Sequence, residues 1–97
     1  MKPPQQINSV SEDITRRFFQ AVFLLKQSGK IRSLSAICRE SSVSPPRYRE
    51  MILTYGINPS RTECRYKSIE IELIYTLVKN YNVSAKWLIT GEGKMLV

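Results

Sequence analysis

The chain contains no histidine. That single absence removes the commonest general base, proton shuttle and metal ligand together. Cysteine is scarce: Cys38 and Cys64 are the only two, they form no C-x-x-C pair, and they cannot complete a zinc set without histidine. Cys38 reads as a small buried apolar residue and Cys64 as an incidental loop thiol, with a disulfide between them left open. The composition otherwise suits an intracellular, cytoplasmic protein. Long apolar runs are also missing. The longest, Ala21 to Leu25, falls far short of a membrane span. The opening residues Met1-Lys2-Pro3-Pro4-Gln5-Gln6 carry no apolar stretch behind a basic head, so no signal peptide is expected.

Acidic residues are few beside basic ones. Eight Asp or Glu face fifteen Lys or Arg, for a net charge of +7 over 97 residues. This length makes one domain with one modest core. The 42% apolar content, with one Trp, five Tyr and three Phe, is enough to fold, so the chain is not a disordered polycation. The charge is unevenly placed. Residues 1–30 hold five bases and two acids, residues 31–67 seven bases and three acids, and residues 68–97 three of each. Six of the bases (Arg39, Arg47, Arg49, Arg61, Arg65 and Lys67) lie between residues 39 and 67. A partner that seeks positive charge, nucleic acid first and an anionic membrane surface second, should meet this middle region.

Helical patterning runs through most of the chain. Residues 1–8, with Pro3-Pro4, read as a flexible arm, and residues 9–97 as the folded domain. Ser9-Val10-Ser11-Glu12 fits a capping box, after which Ile14, Phe18, Ala21, Val22 and Leu25 recur at helical spacing, with Phe19 and Phe23 beside them. Helix one is therefore expected at about 10–28, closed by Gly29. Ser33 caps a short second helix with Leu34, Ile37 and Cys38 inward. Ser44-Pro45 is a strong start signal for a third at about 45–55, with Tyr48, Met51, Ile52 and Tyr55 inward and Gly56 as the stop. Residues 57–67 carry Asn58-Pro59 and no helical stripe; a loop of that length suggests function or mobility. Ser68 opens a fourth helix, with Ile69, Leu73, Ile74, Leu77, Val78 and Tyr81 inward. Ser84 caps a short fifth that carries Trp87, Leu88 and Ile89 and is stopped by Gly91-Glu92-Gly93. The fold class is all-α, a compact five-helix domain.

Helices two and three are short, adjacent and joined by a tight turn, which is the arrangement of a helix-turn-helix at about 33–55. Its packing requirements are met by Cys38 as the small contact residue, Ser42 at the turn, Val43 as the aliphatic after it, and Tyr48 and Met51 as inward groups. Ser42 replaces the usual glycine and must take a positive φ, at a cost of about 1 kcal/mol. With Tyr48 and Met51 inward, the first two turns of the third helix expose Ser44, Pro45, Pro46, Arg47, Arg49 and Glu50. Arg47 or Arg49 could fork onto guanine O6 and N7, and Ser44 could hold a phosphate. A competing unit at Val78, Asn82, Val83 and Leu88 satisfies the same spacing, but its second inward slot falls on Gly91 and its surroundings are net neutral. It is rejected as a reading head. Gly91-Glu92-Gly93-Lys94 lacks the glycine spacing and the Ser or Thr of a phosphate loop and is a helix stop.

The unit at 33–55, the segment Leu77-Val78-Lys79-Asn80-Tyr81-Asn82-Val83-Ser84 and the closing phrase Trp87-Leu88-Ile89-Thr90-Gly91-Glu92-Gly93-Lys94-Met95 together resemble the lambda-repressor-like (XRE, Cro/CI-type) DNA-binding domains of bacteria and phages. The resemblance covers residues 12–95. It implies a five-helix domain on operator DNA, often as a dimer, with contacts at Ser44, Pro45, Arg47 and Arg49 in the third helix and at Ser33 near the start of the second. The chain departs from the family in the long basic loop 57–67.

These observations lead to an expectation of a sequence-specific transcriptional regulator, repressor-like, reading double-stranded DNA in the major groove. Ser44, Pro45, Arg47 and Arg49 would meet bases; Ser33, Arg39, Arg61, Arg65 and Lys67 would meet the backbone. A homodimer is expected, with its contact on the fifth helix and the apolar C-terminus. No catalytic residues, metal, cofactor, membrane or small-molecule ligand are expected. The alternative is a protein-interaction module, an antitoxin-like or phage adaptor, that keeps the fold and contacts a partner through Phe19, Phe23, Tyr66 and Met95-Leu96-Val97.

Overall fold

A computed structural model describes residues 5–97, with side chains from Val10 onward. Five helices follow one another: α1 Gln5–Gln27, α2 Leu34–Glu40, α3 Pro45–Tyr55, α4 Ile71–Tyr81 and α5 Ala85–Thr90. The fold is all-α. Among the described residues there is no strand, only one antiparallel bridge between Val83 and Leu96.

Helices α2 and α5 begin on serine caps, and α3 on its prolines. Ser33 Oγ accepts from the Ala36 amide at 3.1 Å, and Ser84 Oγ from the Trp87 amide at 3.1 Å. Gly91 ends α5 at φ 80°, where a Cβ would also lie 3.1 Å from the Arg17 guanidinium. That guanidinium donates to the Leu88 carbonyl from Nε at 2.8 Å and to the Ile89 carbonyl from Nη2 at 2.9 Å. A cation thus satisfies the free carbonyls at the negative end of α5.

Two helix starts differ from the sequence expectation. α1 begins at Gln5, so residues 5–8 belong to it rather than to an arm, and Ser9 lies inside it instead of capping it. Residues 1–4 of the expected arm lie outside the described residues. After Pro4 the sequence holds no breaker until Gly29, so nothing forces a start as late as Ser9. α4 begins at Ile71, three residues after Ser68. Here tertiary bonds win. Arg47 Nη2 donates to the Ser68 carbonyl at 2.7 Å, and the Glu70 amide donates to the Tyr48 hydroxyl at 3.0 Å. Backbone groups bound to α3 in this way are drawn out of the helical pattern over residues 68–70.

The core gathers Phe18, Phe19 and Leu25 from α1, Ile37 and Cys38 from α2, Tyr48 and Met51 from α3, Leu73 and Leu77 from α4, and Leu88 from α5. Phe18 meets Phe19 edge-on at 5.0 Å and Tyr48 at 6.1 Å. Phe19 is therefore a core residue and not the surface contact expected of it, whereas Phe23 is exposed. In α3 the inward set is Tyr48, Met51, Thr54 and Tyr55; Thr54 takes the place expected of Ile52, which is 36% exposed. Trp87 is half-buried against the core, as a clasp should be. The C-terminus folds back: Ser84 donates to the Met95 carbonyl at 2.7 Å and Val97 to the Asn82 carbonyl at 3.0 Å.

Candidate nucleic-acid interface

Four residues, Ser41 to Ser44, join α2 to α3. Ser42 takes the left-handed conformation expected of it, at φ 61°. Its amide donates to the Arg39 carbonyl at 3.1 Å, and the Val43 amide donates to the Cys38 carbonyl at 2.9 Å. Val43 is buried behind the turn. The Ser41 hydroxyl lies 2.8 Å from the Thr76 hydroxyl and so fastens the turn to α4.

Two buried side chains fix α3 from beneath. The Tyr48 hydroxyl donates to Glu70 Oε1 at 2.9 Å while accepting the Glu70 amide, which clamps the first turn of α3 to the start of α4. Burial pushes the Tyr48 phenol well above its ordinary range, so it stays a donor at neutral pH. Cys38 sits at the α2–α3 contact, fully buried. Burial, with the Glu70 carboxylate adding to it, pushes its thiol up to about 11. Both cysteines are free and unlinked.

The residues expected to meet bases do not behave alike. Ser44 is exposed at the N-cap of α3, but its hydroxyl makes no capping bond, and Pro46 removes one of the two amides such a cap can take. Pro45 is half-buried. Arg49 is exposed, and its Nη1 donates to the Ser35 hydroxyl at 3.0 Å, bridging the outer edges of α2 and α3. Arg47 departs most from expectation. Instead of extending outward it turns toward the α3–α4 loop and stacks over Tyr48 at 5.5 Å and Tyr66 at 4.9 Å, with Nη2 held by Ser68. Its Nε is buried without a hydrogen-bond partner. The reason is geometric: Arg47 stands on the flank between the buried Tyr48 side and the outer edge, beside an aromatic ring and a free carbonyl.

The residues expected to meet the backbone are mostly exposed. Arg39, Arg61, Arg65 and Lys67 face solvent, whereas Ser33 is half-buried and occupied in capping α2. The loop 57–67 is tied back along α3. The Ser60 and Arg61 amides donate to the Leu53 carbonyl at 2.8 and 2.9 Å, and the Thr54 hydroxyl donates to the Glu63 carbonyl at 2.9 Å. This brings Arg65 within 3.3 Å of Glu50 and Lys67 within 3.7 Å of Glu12. It also buries Cys64, which is therefore a packing residue and not an incidental thiol.

Tyr66 joins this group although helix spacing gives it no place there. Two guanidiniums stack over its ring, Arg47 at 4.9 Å and Arg65 at 5.0 Å. The interleaved sequence Arg65-Tyr66-Lys67 is the signal that could have found it. The outer edge of α3 and the adjoining loop thus form one surface, on which Arg49 and Arg65 are exposed and Arg47 is held in. Comparison with family models, with curated proteins and with solved structures returns no match to this chain.

Proposed function

We propose that the chain is a DNA-binding transcriptional regulator of the repressor-like type, which lays α3 in the major groove as the second helix of a helix-turn-helix. The observation behind this reading is the pairing of a short α2, a left-handed Ser42 turn and an outward α3 edge with Arg49 exposed on it. Arg49 is the leading candidate for a fork onto guanine, with Ser44 and Pro45 beside it. Arg65, Arg61, Arg39 and Lys67 supply phosphate contacts and a salt-dependent affinity. Arg47 acts chiefly by positioning: its stack fixes Tyr66 and the loop against α3. A homodimer on a two-fold operator fits a module of this size, which covers few base pairs alone.

Selection of bound duplexes from a random library, at moderate salt, tests the reading. An enriched motif is expected, with Arg49→Ala flattening base preference at one or two positions. Arg47→Ala should weaken binding to all sequences alike. Recovery of no enriched sequence would sink the proposal.

A second reading, a protein-interaction module, is favoured by one observation. An open groove of about 330 Å³ between α1, α2 and α3 is lined by Phe23, Leu34, Ile52 and Ile57, of which Phe23 and Ile57 are 42% and 44% exposed. It leads only if binding to DNA proves indifferent to sequence.

A further inference from the structure

Helix α4 has two apolar faces. Leu73, Thr76 and Leu77 enter the core. On the opposite side Ile71 and Tyr75 are 68% and 62% exposed, and Val78, expected inward, is only half-buried. Ile71, Tyr75 and Val78 stand at i, i+4 and i+7, so they form one stripe along the helix.

We infer that this stripe is the contact for a second copy of the chain, with the two α4 helices antiparallel about a two-fold axis beside Tyr75. Written as a heptad, Ile71 and Val78 are d positions and Tyr75 is the a position between them. The seam is then flanked on one side by Glu72 and Lys79, both at e. In an antiparallel pair e faces e of the partner helix, so a two-fold axis midway between residues 72 and 79 sets each Glu72 opposite a Lys79. It also sets the two Tyr75 rings side by side and brings Ile71 toward Val78 of the other copy. A parallel pair would face e against g, and the g positions, Ile74 and Tyr81, are half-buried against the core.

Two further observations favour a second copy as occupant. Both charges are exposed, and no ion pair engages either of them among the described residues. Residues 68–97 are net neutral in a chain of net charge +7, so this side can approach itself without the repulsion that any basic side would meet. The seam is small against the roughly 800 Å² per partner of a stable interface, so the dimer is a weak one.

Sedimentation equilibrium of the full chain over a concentration series, without nucleic acid, tests this independently of any DNA reading. Reversible dimerisation is expected, weakened about tenfold by Tyr75→Ala. Glu72→Lys and Lys79→Glu should each weaken it roughly fivefold, and the double exchange should restore it to within about twofold. All of these substitutions fall on exposed side chains, and circular dichroism checks that each variant is folded. A chain monomeric up to about 1 mM, indifference to Tyr75→Ala, or a double exchange no better than the single ones would each overturn the assignment.

Discussion

The molecule contains the same turn twice. Between α2 and α3, Ser42 is left-handed at φ 61°; between α4 and α5, Asn82 is left-handed at φ 59°. After each turn comes a buried valine, Val43 and Val83, and then a fully buried inward group, Tyr48 and Leu88. Beyond those groups the two units diverge. α3 is eleven residues long in all and carries an exposed arginine on its outer edge. α5 stops after six, its end is taken by Arg17, and the returning C-terminus pairs with the turn itself. The turn makes two helices meet and does no more. Helix length, free outer surface and local charge decide whether the second helix can reach a partner.

The comparison can be broken first at its inward groups. Tyr48→Ala should cost about 4 kcal/mol, because it leaves a cavity and strips Glu70 of both bonds to the phenol; Leu88→Ala should cost about 3 kcal/mol. Denaturant unfolding of the two variants reads the difference. Next comes Cys38, the fully buried contact residue of the first unit, whose counterpart by position in the second is the half-buried Val78. The Cys38 thiol ionises at about 11 when folded against 9.0 ordinarily, so the folded state favours the protonated form. Its contribution is whole below pH 9 and is lost as pH rises toward about 11. Stability measured across that range should fall, and Cys38→Val should flatten that part of the decline.

These elements also show what the sequence could carry. α2, α3 and α5 were legible because hydroxyl caps, prolines and glycines act within a turn of themselves. The start of α4 was not, since Ser68 looks like a cap locally and only Arg47 and Tyr48, some twenty residues earlier, claim the backbone at 68–70. The same limit explains the site. Residue type marked Arg47 and Arg49 equally; the direction of Arg47 depends on Tyr66, which reaches it only once loop 57–67 has folded along α3. The burial of Cys64 depends on that same folding and leaves no local mark.

If the outer edge of α3 is what separates the two units, charge removal there should matter more than on α5. Arg49→Ala is expected to lower affinity for a selected duplex by about 1–3 kcal/mol at fixed salt. Lys86, on α5, is exposed and paired at 3.7 Å with Glu92, and Lys86→Ala should change that affinity by no more than a few tenths of a kcal/mol. Fluorescence anisotropy titrations compare them, and equal losses would erase the distinction.

The smallest effect is at the two turns themselves. A serine at φ 61° holds its Cβ where left-handed backbone crowds it, and glycine has no Cβ to crowd. Ser42→Gly should therefore relieve strain, opposed by the greater freedom glycine gives the unfolded chain. Strain is the larger quantity for serine, so a net gain of about 0.5 kcal/mol is expected. Asparagine tolerates the left-handed region far better, and at Asn82 the two contributions nearly cancel or reverse. Asn82→Gly should then be neutral or destabilising by a few tenths of a kcal/mol. Opposite signs from identical substitutions at matching φ would show that the Ser42 turn is held in place by its surroundings: Ser41 bonded to Thr76, Val43 buried beneath, and α3 clamped through Tyr48. Two equal gains would mean instead that both turns are strained alike, and that local residue choice plays no part in setting the two units apart.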